Sequence, residues 1–391
     1  MRLPLPHALA ALGLTLALGT AGIDAQRAPI GDAIRDFVAV DASIVALTNA
    51  RVIDGTGGPA RNGQTLVLRD GVIAAMGPSA STPPPAGAHV VDLAGKSVIP
   101  GLVMLHEHLY YPTGPGVYGQ LGQSFVRLYL AGGVTTMRTG GNMNGFMDIT
   151  LKQRVEAGDA AGPTIDATMP YVNGVNPFVQ MTNLTTEERA RRHVAYWADE
   201  GATSVKAYMQ ISRAALGTAI REAHARGLKV TGHLCSVTYA EAAALGIDNL
   251  EHGFFAATDF VSDKKPDECP GQGRGQQAIA DIDPKGAPFQ TLIRTLIPGF
   301  SNHRQLELLV EAGFTPLEAL SIGTRNGARY LGQESKIGTL AVGRQADVVV
   351  VDGDPSTTIA DVRKVSLVFR RGVGFDPRKL IQSVSGKVGL W

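Results

Sequence analysis

The chain has 391 residues, a formal net charge of +1 and 44% hydrophobic residues. That length can bury the core of one large domain with a smaller one beside it. The near-neutral balance gives no electrostatic reason to expect nucleic acid or an anionic membrane surface as a partner.

The chain opens like an export signal. Arg2 gives a short basic start, residues 8–22 are apolar and uncharged, and Asp24-Ala25-Gln26 offers a small-residue cleavage site after Ala25. Residues 1–25 are therefore expected to be a signal peptide, with the mature protein periplasmic or secreted. The run is short for a membrane span, so no span is expected after its removal; an uncleaved anchor is the alternative. Of the two cysteines, Cys235 and Cys269, neither lies near this segment. They could pair in an oxidising compartment. Cys235 could instead line a site, because it follows His233 by two positions, or it could simply be a small buried residue.

Short β-type runs follow: Ile44-Val45-Ala46-Leu47, Arg51-Val52-Ile53, Leu66-Val67-Leu68 and Val72-Ile73-Ala74. Asp70-Gly71 between the last two is a tight hairpin signal. From Pro100 the pattern alternates strand and helix. Strands are expected at 102–106, 134–138, 164–169, 203–208, 228–233 and 247–252. Helices are expected at 120–131, 185–200, 213–226 and 239–245, with Thr185 and Glu188 spaced as a capping box. Such alternation predicts an α/β fold, a parallel (β/α)8 TIM-type barrel. Residues 346–351 and 365–369 return to β. The two chain ends, 38–99 and 334–375, are expected to form one small β-sandwich domain around a barrel at 100–333. No internal repeat is evident.

His106-Glu107-His108 ends the first barrel strand. Side chains two apart on a strand share a face, so both imidazoles can point into the barrel mouth, where barrel enzymes do their chemistry. Lys206, His233 and His252 close three later strands. Singly, each has a structural explanation: a snorkelling lysine, or a hydrogen-bonded core histidine. Together at strand ends they point to metal binding. A protonated lysine cannot bind a cation. A neutral, desolvated one can take up carbon dioxide as a carbamate, an anionic bidentate ligand. Lys206 would then bridge two divalent metals, with zinc the first expectation, His106 and His108 holding one and His233 and His252 the other. Metals about 3.5–4 Å apart can hold a hydroxide and polarise a carbonyl, which is amide hydrolysis without a covalent enzyme intermediate. Lys206 and His252 are expected to serve the catalytic step as well as binding metal.

The same motifs make the chain resemble the amidohydrolase superfamily, especially its imidazolonepropionase-like and zinc-dependent dipeptidase (prolidase-like) branch. They are Val98-Ile99-Pro100-Gly101-Leu102 leading into His106-Glu107-His108; Gly132-Gly133-Val134-Thr135-Thr136; Gly201-Ala202-Thr203-Ser204-Val205-Lys206; Gly232-His233; and Glu251-His252-Gly253. Downstream come residues 311–320, Gly338 and Gly343-Arg344-Gln345-Ala346-Asp347. The resemblance implies the ligand roles just given and makes Tyr208 a substrate contact, with barrel packing as the alternative.

The resemblance also implies an aspartate at the end of an eighth strand, ligating metal and accepting the proton of the attacking water. No Gly-Thr-Asp occurs where it should, and Asp259, after Thr258, comes too soon after the sixth strand. Residues 253–286 read as a mostly polar loop, 288–296 as a helix, and 305–312 as a last barrel helix. The simplest account is an internal deletion with its junction near 296–298, removing about two strand units and leaving two open edges.

Two functions follow. One is metal-dependent hydrolysis of amide bonds in small substrates such as dipeptides or N-acyl amino acids. The other is a catalytically impaired metal-binding pseudoenzyme. A mononuclear deaminase is a third reading, disfavoured by Lys206 and the export signal. The expected partner is a small molecule or dipeptide, with a homo-oligomer compatible with the open edges.

Overall fold

The computed structural model describes residues 27–114, 117–175, 181–281, 283 and 303–386. The expected signal segment, the helix at 288–296 and the junction near 296–298 lie outside them. No helix among the described residues is long and apolar enough to cross a membrane.

Strands from both chain ends pair into one mixed nine-stranded sheet. Its midline is Val348–Val351, four buried valines. On one side Val349 pairs with Ile99; on the other it pairs with Val368. The hairpin of Arg61–Arg69 and Val72–Pro78 turns at Asp70 (φ 50°) and Gly71 (φ 88°). Two successive left-handed residues match the right-handed strand twist, which is why Asp-Gly serves there. Val45, Leu47, Leu66, Leu68 and Ile73 share a core with Val348, Val350 and Phe369.

Between the two ends runs the β/α layer. Its strands are β1 (Leu102–Glu107), β2 (Val134–Thr139), β3 (Thr164–Asp166), β4 (Ser204–Ala207), β5 (Lys229–Gly232) and β6 (Asn249–Leu250). β1, β2 and β3 are parallel neighbours, as are β4, β5 and β6. A parallel bridge between Thr168 and Ser204 joins the two groups.

Helices α1 (Gly122–Ala131), α2 (Gly145–Ala157), α3 (Glu187–Asp199), α4 (Arg213–Ala225) and α5 (Tyr239–Ala244) alternate with these strands. The cap of α3 differs from the sequence expectation. Thr186, not Thr185, accepts from the Arg189 amide, and Glu188 pairs with Arg191 at 2.9 Å. A full capping box does start α5, from Thr238 and Glu241. The stretch after His252 is also more ordered than a polar loop. It holds a 3-10 turn at Gly253–Ala256 and a helix, α6 (Gln272–Ala280). Elements without an expectation include α2, whose sequence lacks an amphipathic stripe, and a hairpin of Tyr110–Gly114 with Val117–Gln120.

Among the described residues, β1 pairs only with β2 and β6 only with β5. A helical arm lies along the β1 side of this seam: α7 (His303–Glu311), α8 (Pro316–Ser321), a π turn at Ile322–Asn326 and α9 (Gly327–Tyr330). At Gly327 it presses on β1 so closely that a Cβ would stand 2.5 Å from the Val103 carbonyl oxygen. Its end reaches β5, where the Lys229 ammonium donates to the Tyr330 carbonyl and lies 4.5 Å over the Tyr330 ring. The arm thus touches strands on both sides of the seam without supplying a strand.

Candidate metal centre

The C-terminal strand ends gather the five residues singled out above. His106 and His108 leave β1 on one face, with ring centroids 5.0 Å apart. His252 stands 4.8 Å from His106 and 4.4 Å from His233. Lys206, at the end of β4, is 1% exposed. All five line one cavity of ≈ 310 Å³. Tyr208 lines it too, 5.0 Å from His233 and 4.8 Å from Tyr171. The rest of the wall is aromatic and thioether: Tyr110, Tyr118, Tyr171, Met143 and Met181. The Tyr110 and Tyr171 hydroxyls hydrogen-bond to each other.

Burial, aided by neighbouring cationic groups, holds these imidazoles neutral. It pushes His108 down to about 3, with His106 and Lys206 contributing, and His233 to about 2, with His252 contributing. His252 falls to about 3, for burial first and Lys206 second. His106 lies well below its ordinary value for the same two reasons. Burial, then Arg138, also holds the Lys206 ammonium well below its usual range. Neutral imidazoles are what a divalent ion requires. The buried His108 Nδ1 has no hydrogen-bond partner.

Two further buried residues lie beside these side chains. Arg138 of β2 is 1% exposed. It donates to Ser204 Oγ at 3.1 Å, the Leu105 carbonyl at 3.2 Å, the Val205 carbonyl at 3.3 Å and Thr231 Oγ1 at 2.8 Å. Its remaining contact is Glu251 Oε1 at 3.3 Å. The other Glu251 oxygen lies 3.1 Å from His106 Nδ1 and ion-pairs with Lys206. His106, Glu251 and His252 bring one ligand atom each within 4.8 Å of one another; His108 and His233 share the cavity but not this tight group. Imidazole and carboxylate together form a donor set that suits zinc.

Sequence reasoning missed both residues, although signals existed. Arg138 is a lone charge in the apolar run Val134-Thr135-Thr136-Met137-Arg138, and Glu251 immediately precedes His252. Tyr110 continues the two-residue spacing of His106 and His108.

Asp259 is no acid of the site: its carboxylate accepts from the Tyr239 and Ala240 amides, capping α5. Cys235 is disulfide-bonded to Cys269, with Cα atoms 4.9 Å apart, and does not line the cavity.

The Amidohydrolase family profile matches residues 280–374. The chain is 24% identical to an imidazolonepropionase of Haloarcula marismortui, across 75% of this chain and 86% of that protein. Its fold matches a phenylurea hydrolase B structure with a TM-score of 0.68 at 22% identity, covering 89% of this chain and 100% of that one. A Xaa-Pro dipeptidase structure with bound methionine matches with a TM-score of 0.66 at 18% identity, covering 85% and 100%.

The profile, the sequence relatives and the fold neighbours all resemble this chain and all point to the amidohydrolase superfamily. These similarities support a hydrolase acting on carbon–nitrogen bonds. His106, His108, Lys206, His233 and His252 stand at the C-terminal ends of the parallel strands, the end at which β/α-barrel enzymes carry their active sites. The aromatic wall beside it bounds the space left for a small substrate.

Proposed function

We propose that this amidohydrolase hydrolyses amide bonds in small substrates such as dipeptides or N-acyl amino acids, using two divalent ions, zinc in the first instance. The observation that carries the reading is the convergence of His106, His108, Lys206, His233 and His252 on one cavity. His106 and His108 would hold one ion and His233 and His252 the other, with Lys206, as a carbamate, as the ligand that would serve both. The bound ions supply Lewis acidity and an activated water.

The chain's own residues do the rest. Burial disfavours the Lys206 ammonium, which leaves an amine able to add carbon dioxide and release a proton. The carbamate then replaces the ion pair with Glu251. Tyr208 and the tyrosines beside it orient the scissile amide, and Met143 and Met181 receive an apolar side chain or acyl group. The leader at 1–25 directs export, and the Cys235–Cys269 bond supports an oxidising compartment.

The seam between β1 and β6 favours a second reading. We attribute it to loss of about two strand units near 296–298, a change that also removes the eighth-strand aspartate. On that account the chain binds metal without turnover, and strand edges unpaired among the described residues favour a homo-oligomer. Metal content and turnover on a dipeptide panel separate the two. The hydrolase reading expects about two metals per chain and activity abolished by Lys206→Ala. Full activity in Lys206→Ala contradicts the bridging role; bound metal with no turnover selects the second reading.

A further inference from the structure

We infer that Glu251 is itself a metal ligand, supplying from the sixth strand a carboxylate that no eighth-strand aspartate provides among the described residues. The inference rests on the metal-centre reading above and names a ligand outside that set.

Three observations carry it. The first is backbone geometry. Successive side chains of a strand face opposite ways, so Glu251 and His252, which directly follow β6, should not both join one group of ligand atoms. They do so because His252 lies at φ 67°, a left-handed conformation that non-glycine residues rarely adopt. The turn is secured by the Tyr239 hydroxyl, which donates to the Glu251 carbonyl at 2.7 Å and the Gly253 carbonyl at 2.9 Å. Strain held in place this way at a rim of ligands is a feature of functional sites.

The second is the fixed half of the carboxylate. Oε1 is held by Arg138, whose other donors are all engaged by β1, β4 and β5. The third is the inward half. Oε2 is buried and makes no hydrogen bond, but it ion-pairs with Lys206, lies 3.1 Å from His106 Nδ1 and is grouped with His106 and His252 at ligand spacing. A carboxylate with one oxygen fastened by arginine and the other aimed among imidazoles is built as an anionic ligand, with Arg138 orienting it from behind.

Cobalt replacement tests this directly. In the full chain, Glu251→Cys loaded with Co²⁺ should show a near-ultraviolet thiolate-to-cobalt charge-transfer band. The wild type should lack it, because both native cysteines are tied in a disulfide. A folded Glu251→Cys protein that binds cobalt without the band overturns the inference. So does Glu251→Gln, a near-isosteric change, if cobalt affinity measured against a competing chelator is unchanged; the expected loss is about tenfold or more. His106→Ala with His108→Ala should lower affinity whether or not Glu251 binds. If that pair has no effect while Glu251→Cys shows the band, the five-residue centre is wrong and the Glu251 contact stands. A wild type that takes up no cobalt overturns both.

Discussion

The chain-end sheet and the β/α layer solve the same problem differently. In the sheet, strands more than 240 positions apart in sequence are hydrogen-bonded neighbours, as with Val349 and Ile99. The side chains clustered between its strands are apolar, while the buried Arg370 at one strand end donates to the Val155 carbonyl of the neighbouring layer. In the β/α layer each strand pairs with one close in sequence, and among the described residues the series stops with β1 and β6 each paired on one side. The interior below its rim is occupied by Arg138, Lys206 and Glu251, all buried. The sheet is built for stability; the layer accepts buried charge to hold ligands at one end. Buried charges of this kind are costly unless every member is paired.

The sharpest way to break this contrast is a matched pair of substitutions. Arg138→Ala leaves Glu251 without its anchor and should cost about 3–5 kcal/mol, while also weakening metal binding. Phe369→Ala in the sheet should cost a similar amount, about 3–5 kcal/mol, while metal affinity in the folded fraction is unchanged. Denaturant unfolding with metal titration reads both. Equal effects of the two variants on metal affinity would dissolve the distinction.

Reducing the Cys235–Cys269 bond, which ties the turn after β5 to the segment before α6, should cost about 2–4 kcal/mol. In hydrogen exchange the loss should appear in β5, β6 and α6 before it appears in the sheet. Uniform exchange across both regions would count against their independence.

A smaller effect concerns Asp148 on α2, whose carboxyl is pushed up to about 8 by burial. In the unfolded chain the same group ionises near 4. Between those values the folded protein keeps a proton that the unfolded chain has lost, so stability falls as pH rises from about 4 to about 8 and levels off above. Asp148→Asn should remove that slope, so the melting-temperature difference between variant and wild type should grow from about pH 5 to about pH 8. A constant difference would show that burial of Asp148 does not penalise its charge. The smallest effect is Thr238→Ala at the start of α5, about 1 kcal/mol, checked by denaturant unfolding.

Much of this was legible in the sequence because it rests on local pattern. The apolar runs ending in His106, Lys206, His233 and His252 placed the rim, and Asp70-Gly71 placed its turn. The cap of α3 was misplaced by one residue because Thr185 and Thr186 are adjacent and equally suited to the role. Glu251 was not legible as a site residue, because the alternation of strand side chains turns it away from His252. Only the left-handed backbone at His252 reverses that, and no residue type at position 252 signals it. Helix α6 was hidden by its glycines and polar residues, which carry no apolar stripe.

The account stands or falls on divalent metal per chain in the purified, dialysed protein, measured by elemental analysis alongside the His106→Ala, His108→Ala double variant. It predicts about two equivalents in the wild type and a clear loss in the variant, with both proteins folded. A folded wild type that retains no metal, or a double variant that retains all of it, would contradict it.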